Sequence, residues 1–323
     1  MNSYSASARD IRQPATQDEL LSILRCPETR EPLHRASERE LETLSGRRWA
    51  FRDGIASFVG ANSDSHAAAS DVQHLYEANR SPDAKGFMDG RSVSLDHERK
   101  CIAQLSRHFR RGGRYLLDAG SGPIAHRELL QYSTAYERRV CVDLSLPALR
   151  GAQAKLGERG IYVQGDLTNL PIATGSMDAV TCNHVLYQIP AEQQAAAFLE
   201  LWRVLKPGGV AVAVYWWPGA PLAARFEELT ECLGMHGAPD ATEDEAYKPF
   251  EYCHSLQWFT EQNWPFRYRI ESYCIVDSWF MRRRISADWR GEFLRNILCA
   301  MQRLAPEFSG RNGAVPAIII YKD

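Results

Sequence analysis

An α/β fold with a doubly wound parallel sheet is predicted for most of this 323-residue chain. Three observations predict it. Apolar runs of strand length alternate with segments of helical periodicity, the runs are apolar throughout, and a glycine-rich turn follows the first of them. Such strands, separated by helices, form a parallel sheet that is covered on both faces. A small α+β domain before this sheet and an aromatic-rich insertion near its end complete the predicted architecture.

The composition is that of an ordinary globular protein, with 45% apolar and 24% charged residues. Lysine and arginine total 38 against 40 acidic residues, which argues against a dedicated binder of nucleic acid or of an anionic membrane. No apolar run approaches the roughly 20 residues of a membrane helix, and residues 1–15 lack the apolar core of a signal peptide. We therefore expect a cytoplasmic protein that does not bind membranes. The eight cysteines are scattered singly, which predicts free thiols.

The N-terminal part divides into two predicted segments. Residues 1–17 are small and polar, so we expect a flexible N-terminus, whereas residues 18–60 combine a helical stripe in "LLSILRCPETREPL" with a strand-like "FRDGIASF". The second segment resembles the small zinc-ribbon-like domain that activates RNA and protein methyltransferases and precedes many bacterial methyltransferases. Of the ribbon's cysteines only Cys26 is present, and Thr29 stands where its partner would be. Because structural zinc needs about four ligands, we predict a degenerate ribbon without metal.

A junction precedes the predicted sheet domain. Residues 61–94 begin rich in alanine and serine and continue into helical and turn-rich text, which predicts a linker and an N-terminal lid that includes Tyr76. Residues 95–323 then form the main domain, starting with a helix from Leu95 to about Phe109. The predicted strands follow in the order "RYLLDAGSG", "RRVCVDLS", "IYVQGDLTNLP", "MDAVTCNHVLYQIP", "KPGGVAVAVYWWP" and, at the end, "PAIIIYKD".

A glycine loop follows the first of these strands and, we expect, opens a helix, which is where an open α/β sheet binds its ligand. Gly120 and Gly122 fit a dinucleotide fingerprint, with Asp143 at the distance of the acid that holds a ribose. Two further acids favour a cationic nucleoside without phosphates. Asp118 precedes the first glycine by two residues, and Asp166 follows the third strand.

Five motifs, in this order, resemble those of class I S-adenosylmethionine (SAM) methyltransferases: "LLDAGSG", "VDLS", "GDLTNLP", "MDAVTCNHVLYQIP" and "LWRVLKPGG". The resemblance covers residues 95–217 and implies a Rossmann-like methyltransferase sheet that uses SAM and no metal. It implies these cofactor-binding residues, all at the ends of predicted strands: Asp118, Gly120, Gly122, Asp143, Leu144, Asp166, Leu167 and Asn183.

The chemistry of SAM agrees with these implied roles. Asp118 would bind near the methionine amino group, Asp143 would accept both ribose hydroxyls, and Asp166 with Leu167 would frame the adenine. Carboxylates suit a ligand that carries an ammonium and a sulfonium group, and one carboxylate can accept two hydroxyl hydrogens. The family's loop often has a third glycine where this chain has Ile124.

Three residues after the fourth strand are candidates for catalysis: Asn183, His184 and Tyr187. Methyl transfer is an in-line displacement that chiefly needs positioning and exclusion of water, and a base only for a protonated nucleophile. His184 is either that base or an orienting or packing residue. Tyr187 either lines the methyl pocket, because an aromatic face attracts a sulfonium, or packs in the core.

Two later features allow a functional and a structural interpretation. A lid insertion at about 218–268 continues an aromatic-rich stretch from Tyr215, which either roofs an apolar acceptor or forms its own core. Arg282, Arg283 and Arg284 either bind an anion or form a solvated charged face.

The function predicted first is SAM-dependent methylation of a small molecule in bacterial secondary metabolism. One alternative keeps the cofactor and changes the reaction, so that a cyclase or lyase releases methylthioadenosine and a cyclic amino acid from SAM itself. A second is ribosomal RNA methylation, against which the missing zinc ligands and the acidic balance argue. A third is a non-catalytic scaffold, which would be expected to have lost Asp118, Asp143 and Asp166.

Overall fold

The computed structural model describes residues 17–59, 91–237 and 252–323. This part of the chain contains eleven strands: β1 Leu33–Ser37, β2 Glu40–Thr43, β3 Arg48–Arg52, β4 Ile55–Ser57, β5 Gly113–Ala119, β6 Tyr136–Asp143, β7 Gly160–Gln164, β8 Met177–Asn183, β9 Leu205–Val214, β10 Arg267–Cys274 and β11 Val315–Tyr321. They form one sheet in the order β1-β2-β3-β4-β7-β6-β5-β8-β9-β11-β10.

The α-helices of the described ranges connect these strands: α1 Gln17–Ile23, α2 Ser92–Leu105, α3 Leu146–Leu156, α4 Gln194–Val204, α5 Pro221–Cys232, α6 Leu256–Glu261, α7 Ser278–Arg284, α8 Trp289–Leu304 and α9 Pro306–Asn312. Local sequence sets several of their starts. Ser145 caps α3 by accepting a hydrogen bond from the Ala148 N–H at 3.3 Å, and Asp277 and Asp288 cap α7 and α8.

The centre of the sheet is parallel, as predicted. β4, β7, β6, β5, β8 and β9 run in one direction, whereas β11 is antiparallel to both β9 and β10. Residues 115–119 of β5 are all buried, because helices and loops cover both faces of the sheet. The prediction of a doubly wound α/β fold is therefore confirmed.

The glycine loop is followed by a 3₁₀ helix and not by an α-helix. Arg127–Ser133 is a 3₁₀ helix, and the chain then enters β6 directly. The carbonyl of Leu129 accepts a hydrogen bond from Arg139 Nη1 at 2.8 Å, which ties this short segment to the strand that follows. The predicted helix from Leu95 begins earlier, at Ser92, and its last turn, Ser106–Phe109, is also a 3₁₀ helix.

The N-terminal segment extends the main sheet. β1 to β4 form an antiparallel meander, and β4 pairs in parallel with β7 through Ile55↔Tyr162 and Ala56↔Val163. Cys26 is buried, and its backbone N–H donates to the Glu31 carbonyl at 3.0 Å. The likeness to a zinc ribbon stays a prediction.

Several predictions concern residues outside the described ranges. Most of the predicted linker and lid at 61–94 lies there, together with Tyr76 and with residues 238–251 of the predicted lid insertion. Within the described ranges, none of the helices has both the length and the apolar character that a membrane span requires.

Candidate functional site

The chain reverses its direction of sheet growth between β5 and β8. From β5 it proceeds to β6 and β7 on one side, and it then crosses to β8 and β9 on the other. Open α/β sheets bind ligands at the carboxyl ends of the strands beside such a switch point. We call the residues that directly follow β5, β6, β7 and β8 the switch-point edge; every cofactor and catalytic residue predicted from the sequence lies there or in the last residues of these strands.

Glycine is needed at the first position of the loop after β5. Gly120 has a φ of 71°, and a Cβ built on it would lie 2.5 Å from Cγ2 of Val185, which follows β8. Any larger residue would push the two loops apart. Gly122 also has a positive φ, of 52°. The loops on the two sides of the switch point are therefore in close contact.

Asp143, the last residue of β6, holds the glycine loop in place. One of its carboxylate oxygens accepts the N–H of Gly122 at 2.8 Å, and the other accepts the N–H of Ser145 at 2.8 Å. Burial raises the pKa of Asp143 to about 6, although these backbone hydrogen bonds lower it. A carboxylate has about four acceptor positions, so Asp143 retains acceptor capacity for a ligand hydroxyl.

Asp118 forms a buried ion pair that the sequence did not predict. Its Oδ2 accepts hydrogen bonds from Nε and Nη2 of Arg139, at 3.0 and 2.6 Å, and both side chains are almost completely buried. Burial opposes the charge on Arg139, but the adjacent Asp118 carboxylate overcomes this effect and raises the pKa of Arg139. The negative charge of Asp118, which the sequence analysis assigns to binding a ligand ammonium, is thus balanced by Arg139 within the protein.

The residues predicted to frame an adenine lie beside Asp143. The register Asp143↔Gln164 aligns the ends of β6 and β7, and Asp166 and Leu167 come after β7 and Gly165. Asp166 Oδ1 accepts the N–H of Thr168 at 2.8 Å, and Leu167 is buried. The Leu144 carbonyl accepts a hydrogen bond from Gln164 Nε2 at 2.9 Å. These contacts fix the predicted adenine-binding segment.

The three candidates for catalysis are neighbours after β8. His184 has a φ of 60°, and its Nδ1 lies 3.2 Å from the Tyr187 hydroxyl. Burial, with a smaller effect of His126, lowers the pKa of His184 to about 4, so the imidazole is neutral at physiological pH. Asn183 Nδ2 donates to Thr181 Oγ1 at 3.0 Å. With this pKa, His184 is a weak base and a suitable uncharged neighbour for a cation.

Aromatic rings surround this group. Tyr187 meets Tyr215 edge to face with ring centroids 5.8 Å apart, and His184 meets Tyr273 of β10 at 5.3 Å. The backbone N–H of Tyr252 donates to the Tyr187 carbonyl at 2.7 Å. The sequence did not single out Tyr273 or Arg139, because nothing local marks a strand tyrosine or arginine that faces another element.

Most described aromatic residues of the predicted lid pack on one another. Phe259 is fully buried, with ring centroids 5.1 Å from Trp264 and 5.0 Å from Tyr268. Phe198 of α4 joins this cluster at 5.2 Å from Phe259. Of the two interpretations of the insertion, core packing describes these residues, and the core is shared with the main domain, since Phe259 belongs to the same buried cluster as Phe198 and Ile318.

The arginine run on α7 has internal partners. Arg284 is mostly buried and bridges to Glu227 and Glu231 of α5, and Arg283 lies 3.9 Å from Glu227. The ion pairs join two helices, so Arg284 does not belong to a solvated face.

Comparisons with known proteins relate this chain to methyltransferases. Residues 117–213 match the family model of a methyltransferase domain. The chain is 38% identical over 76 residues to demethylmenaquinone methyltransferase of Roseiflexus castenholzii, a match that covers 23% of this chain and 31% of that protein. It is 34% identical over 135 residues to an uncharacterized methyltransferase of Mycobacterium sp. (strain KMS), covering 40% of this chain and 49% of that protein.

Both of these matches span less than half of the relative's length. Among solved structures, magnesium protoporphyrin IX methyltransferase from Synechocystis PCC 6803 aligns with 80% of this chain and 100% of its own, at 15% identity and a TM-score of 0.44.

Proposed function

We infer that this chain, which contains a class I SAM-dependent methyltransferase domain at residues 117–213, binds SAM at the switch-point edge and transfers its methyl group to a small molecule. The observation that carries the proposal is the bridge made by Asp143 between the glycine loop and the start of α3, with Gly120 pressed against Val185. This arrangement holds backbone and carboxylate groups ready for a nucleoside.

The donor and acceptor groups of the edge fit SAM. Asp143 would accept the ribose hydroxyls, and Gly120 and Gly122 would let the methionine moiety approach the backbone. Asp166 and Leu167 would frame the adenine, and Leu144 and Asn183 would complete the site. We assign Asp118 a smaller direct role than Asp143, because Arg139 already balances its charge.

When bound, SAM supplies a methyl group on a positively charged sulfur. The protein's own contribution is to position this group, exclude water and avoid a competing positive charge. A neutral His184, hydrogen bonded to Tyr187, meets the last requirement, since a protonated imidazole would repel the sulfonium. The ring face of Tyr187 would attract the cation. We therefore propose that His184 is a positioning residue and not a strong general base.

A small-molecule acceptor is favoured over RNA by the balanced charge of the chain and by the aromatic groups around Tyr187. The Roseiflexus relative is named for demethylmenaquinone, which is itself a small molecule. We propose an acceptor of the same size class, from secondary metabolism.

The cofactor assignment is tested by calorimetry with SAM. Asp143→Ala should weaken binding by about 1.5–3 kcal/mol, because a charged hydrogen-bond acceptor is lost. Asp323→Ala, which changes an exposed carboxylate at the C-terminus, is the matched control and should bind as the wild type does. Equal affinity of all three proteins would sink the assignment.

The reaction is tested by mass spectrometry of the protein with SAM and no acceptor. SAM should stay intact, and S-adenosylhomocysteine should form only when a suitable acceptor is added. Enzyme-dependent methylthioadenosine at many turnovers, with SAM alone, would show that the protein cyclises or cleaves SAM, and would overturn methyl transfer while leaving the cofactor assignment intact.

A further inference from the structure

A cluster of one histidine and three cysteines lies between α2, β10 and α8, apart from the residues assigned to SAM. His97 and Cys101 are one turn apart on α2, Cys274 ends β10, and Cys299 belongs to α8. Cys101 Sγ lies 3.7 Å from His97 Nε2 and 2.9 Å from Cys274 Sγ. The candidate ligand atoms of His97, Cys101 and Cys274 all lie within 4.8 Å of one another, and all three residues are buried.

We propose that His97, Cys101 and Cys274 bind a zinc ion. Tetrahedral zinc with bonds of about 2.3 Å to sulfur and about 2.0 Å to nitrogen separates such ligands by about 3.6 Å, close to the distance between Cys101 Sγ and His97 Nε2. The two sulfurs are closer together than two zinc-bound sulfurs, so the ion would move them apart. Zinc also favours thiolate and imidazole ligands over the other donors nearby.

Groups around the cluster match the surroundings of a metal site. Histidines that bind metals usually hydrogen bond through their second nitrogen, and His97 Nδ1 lies 3.6 Å from Cys299 Sγ. Gln302 Nε2 donates to Cys101 Sγ at 3.5 Å, as expected beside a thiolate. In the described part of the chain, the buried Oε1 of Gln302 has no hydrogen-bond partner. With these three protein ligands, a water molecule would take the fourth position on the ion.

The proposed ion has a structural role next to the switch-point edge. It would join α2 to β10 at Cys274, the residue that follows Tyr273. Tyr273 contacts the His184 ring, and its carbonyl accepts a hydrogen bond from Gln302 Nε2 at 2.6 Å. Zinc would thus fix the wall against which His184 packs, without taking part in the reaction.

The first test is metal content. Full-length protein, purified with a reductant and stripped with a chelator, should take up one Zn²⁺ per chain, and Co²⁺ in its place should give the thiolate charge-transfer and tetrahedral d–d absorption bands. Zinc should raise the melting temperature of the stripped wild type, a readout that needs no variant. No uptake, or cobalt spectra without thiolate bands, would overturn the proposal.

Variants locate the ion. Cys101→Ser and Cys274→Ser should each lose the cobalt bands, whereas Cys26→Ser and the exposed Cys232→Ser should keep them. Bands that persist in both cluster variants, or that vanish with Cys26→Ser, would place the metal elsewhere. A Cys101–Cys274 disulfide found by mass spectrometry, with no zinc uptake after reduction, would assign the pair to thiol oxidation instead.

Discussion

At the residue scale, two side-chain-bearing residues adopt a left-handed backbone on opposite sides of the switch point. Ile124 has a φ of 53° and His184 a φ of 60°. This conformation costs roughly 1–2 kcal/mol for an L-residue, and it is least favourable for a β-branched one. Ile124 is completely buried beside Leu149 of α3, so packing offsets the backbone cost. Strain of this kind is concentrated at ligand sites.

Replacing Ile124 separates backbone strain from packing. Ile124→Ala and Ile124→Gly both remove the buried side chain and should both lower the free energy of unfolding, by about 2–5 kcal/mol for the cavity. Glycine alone also relieves the backbone, so its variant should be about 1 kcal/mol more stable than the alanine variant in urea titrations. An alanine variant at least as stable as the glycine one would show that the loop is unstrained.

The buried pair Asp118–Arg139 predicts non-additive stability. Arg139→Met leaves the Asp118 carboxylate buried without its partner and should lower the free energy of unfolding by about 3–5 kcal/mol. Adding Asp118→Asn removes the unbalanced charge and should recover much of this loss. Urea unfolding of the two single variants and the double variant measures the coupling. Additive losses would contradict it.

Asp143 predicts a pH dependence of SAM binding. Its pKa is raised to about 6, so the carboxylate that we propose as the acceptor of the ribose hydroxyls is ionised above that pH and protonated below it. The dissociation constant for SAM should therefore be constant from pH 7 to 8 and should rise by up to about tenfold per pH unit below pH 6. Asp143→Asn cannot titrate at this position and serves as the control. The same steep pH dependence in this variant would assign the effect to another group.

At the scale of elements, the sequence predicted what local pattern determines. β5 to β9 were predicted because strands buried on both faces are apolar throughout. The pairing of β4 with β7 was not, because residues 55–57 carry no mark of a partner at 162–164. The cysteine cluster was not predicted for the same reason: only His97 and Cys101 are close in sequence, and Cys274 comes from a distant strand.

A buried carboxylate on α1 attaches this N-terminal helix to the main domain. Glu19 of α1 accepts a hydrogen bond from Arg138 Nε at 3.2 Å and another from the Tyr115 hydroxyl at 3.2 Å. Glu19→Gln should lower the free energy of unfolding by about 1–3 kcal/mol, because Arg138 keeps its charge in a buried position. Glu137→Gln alters an exposed carboxylate 4.0 Å from Arg114 and should change stability by less than about 1 kcal/mol. Equal effects in thermal melts would show that α1 is only loosely attached.

At the scale of the whole molecule, the N-terminal segment and the main domain share one sheet and one core. Leu41 and Trp49 belong to the same buried cluster as Val163 and Leu167. We therefore expect them to unfold together. In hydrogen exchange, amides of β4 and of β7 should open with equal free energies, and exchange of β4 at a clearly lower free energy would contradict the shared core.

The pairing of β4 with β7 also determines when the N-terminal segment can complete its folding during synthesis. Ala56 pairs with Val163, so the ribosome must synthesise the intervening hundred or so residues before the first segment can acquire its neighbour. During that interval the edge of β4 is unpaired, and the apolar side chains of Leu41 and Trp49 are exposed to solvent. An unpaired strand edge of this kind can pair with other chains. Nascent chains stalled before residue 160 should therefore be captured by chaperones, and release should follow once β7 has emerged.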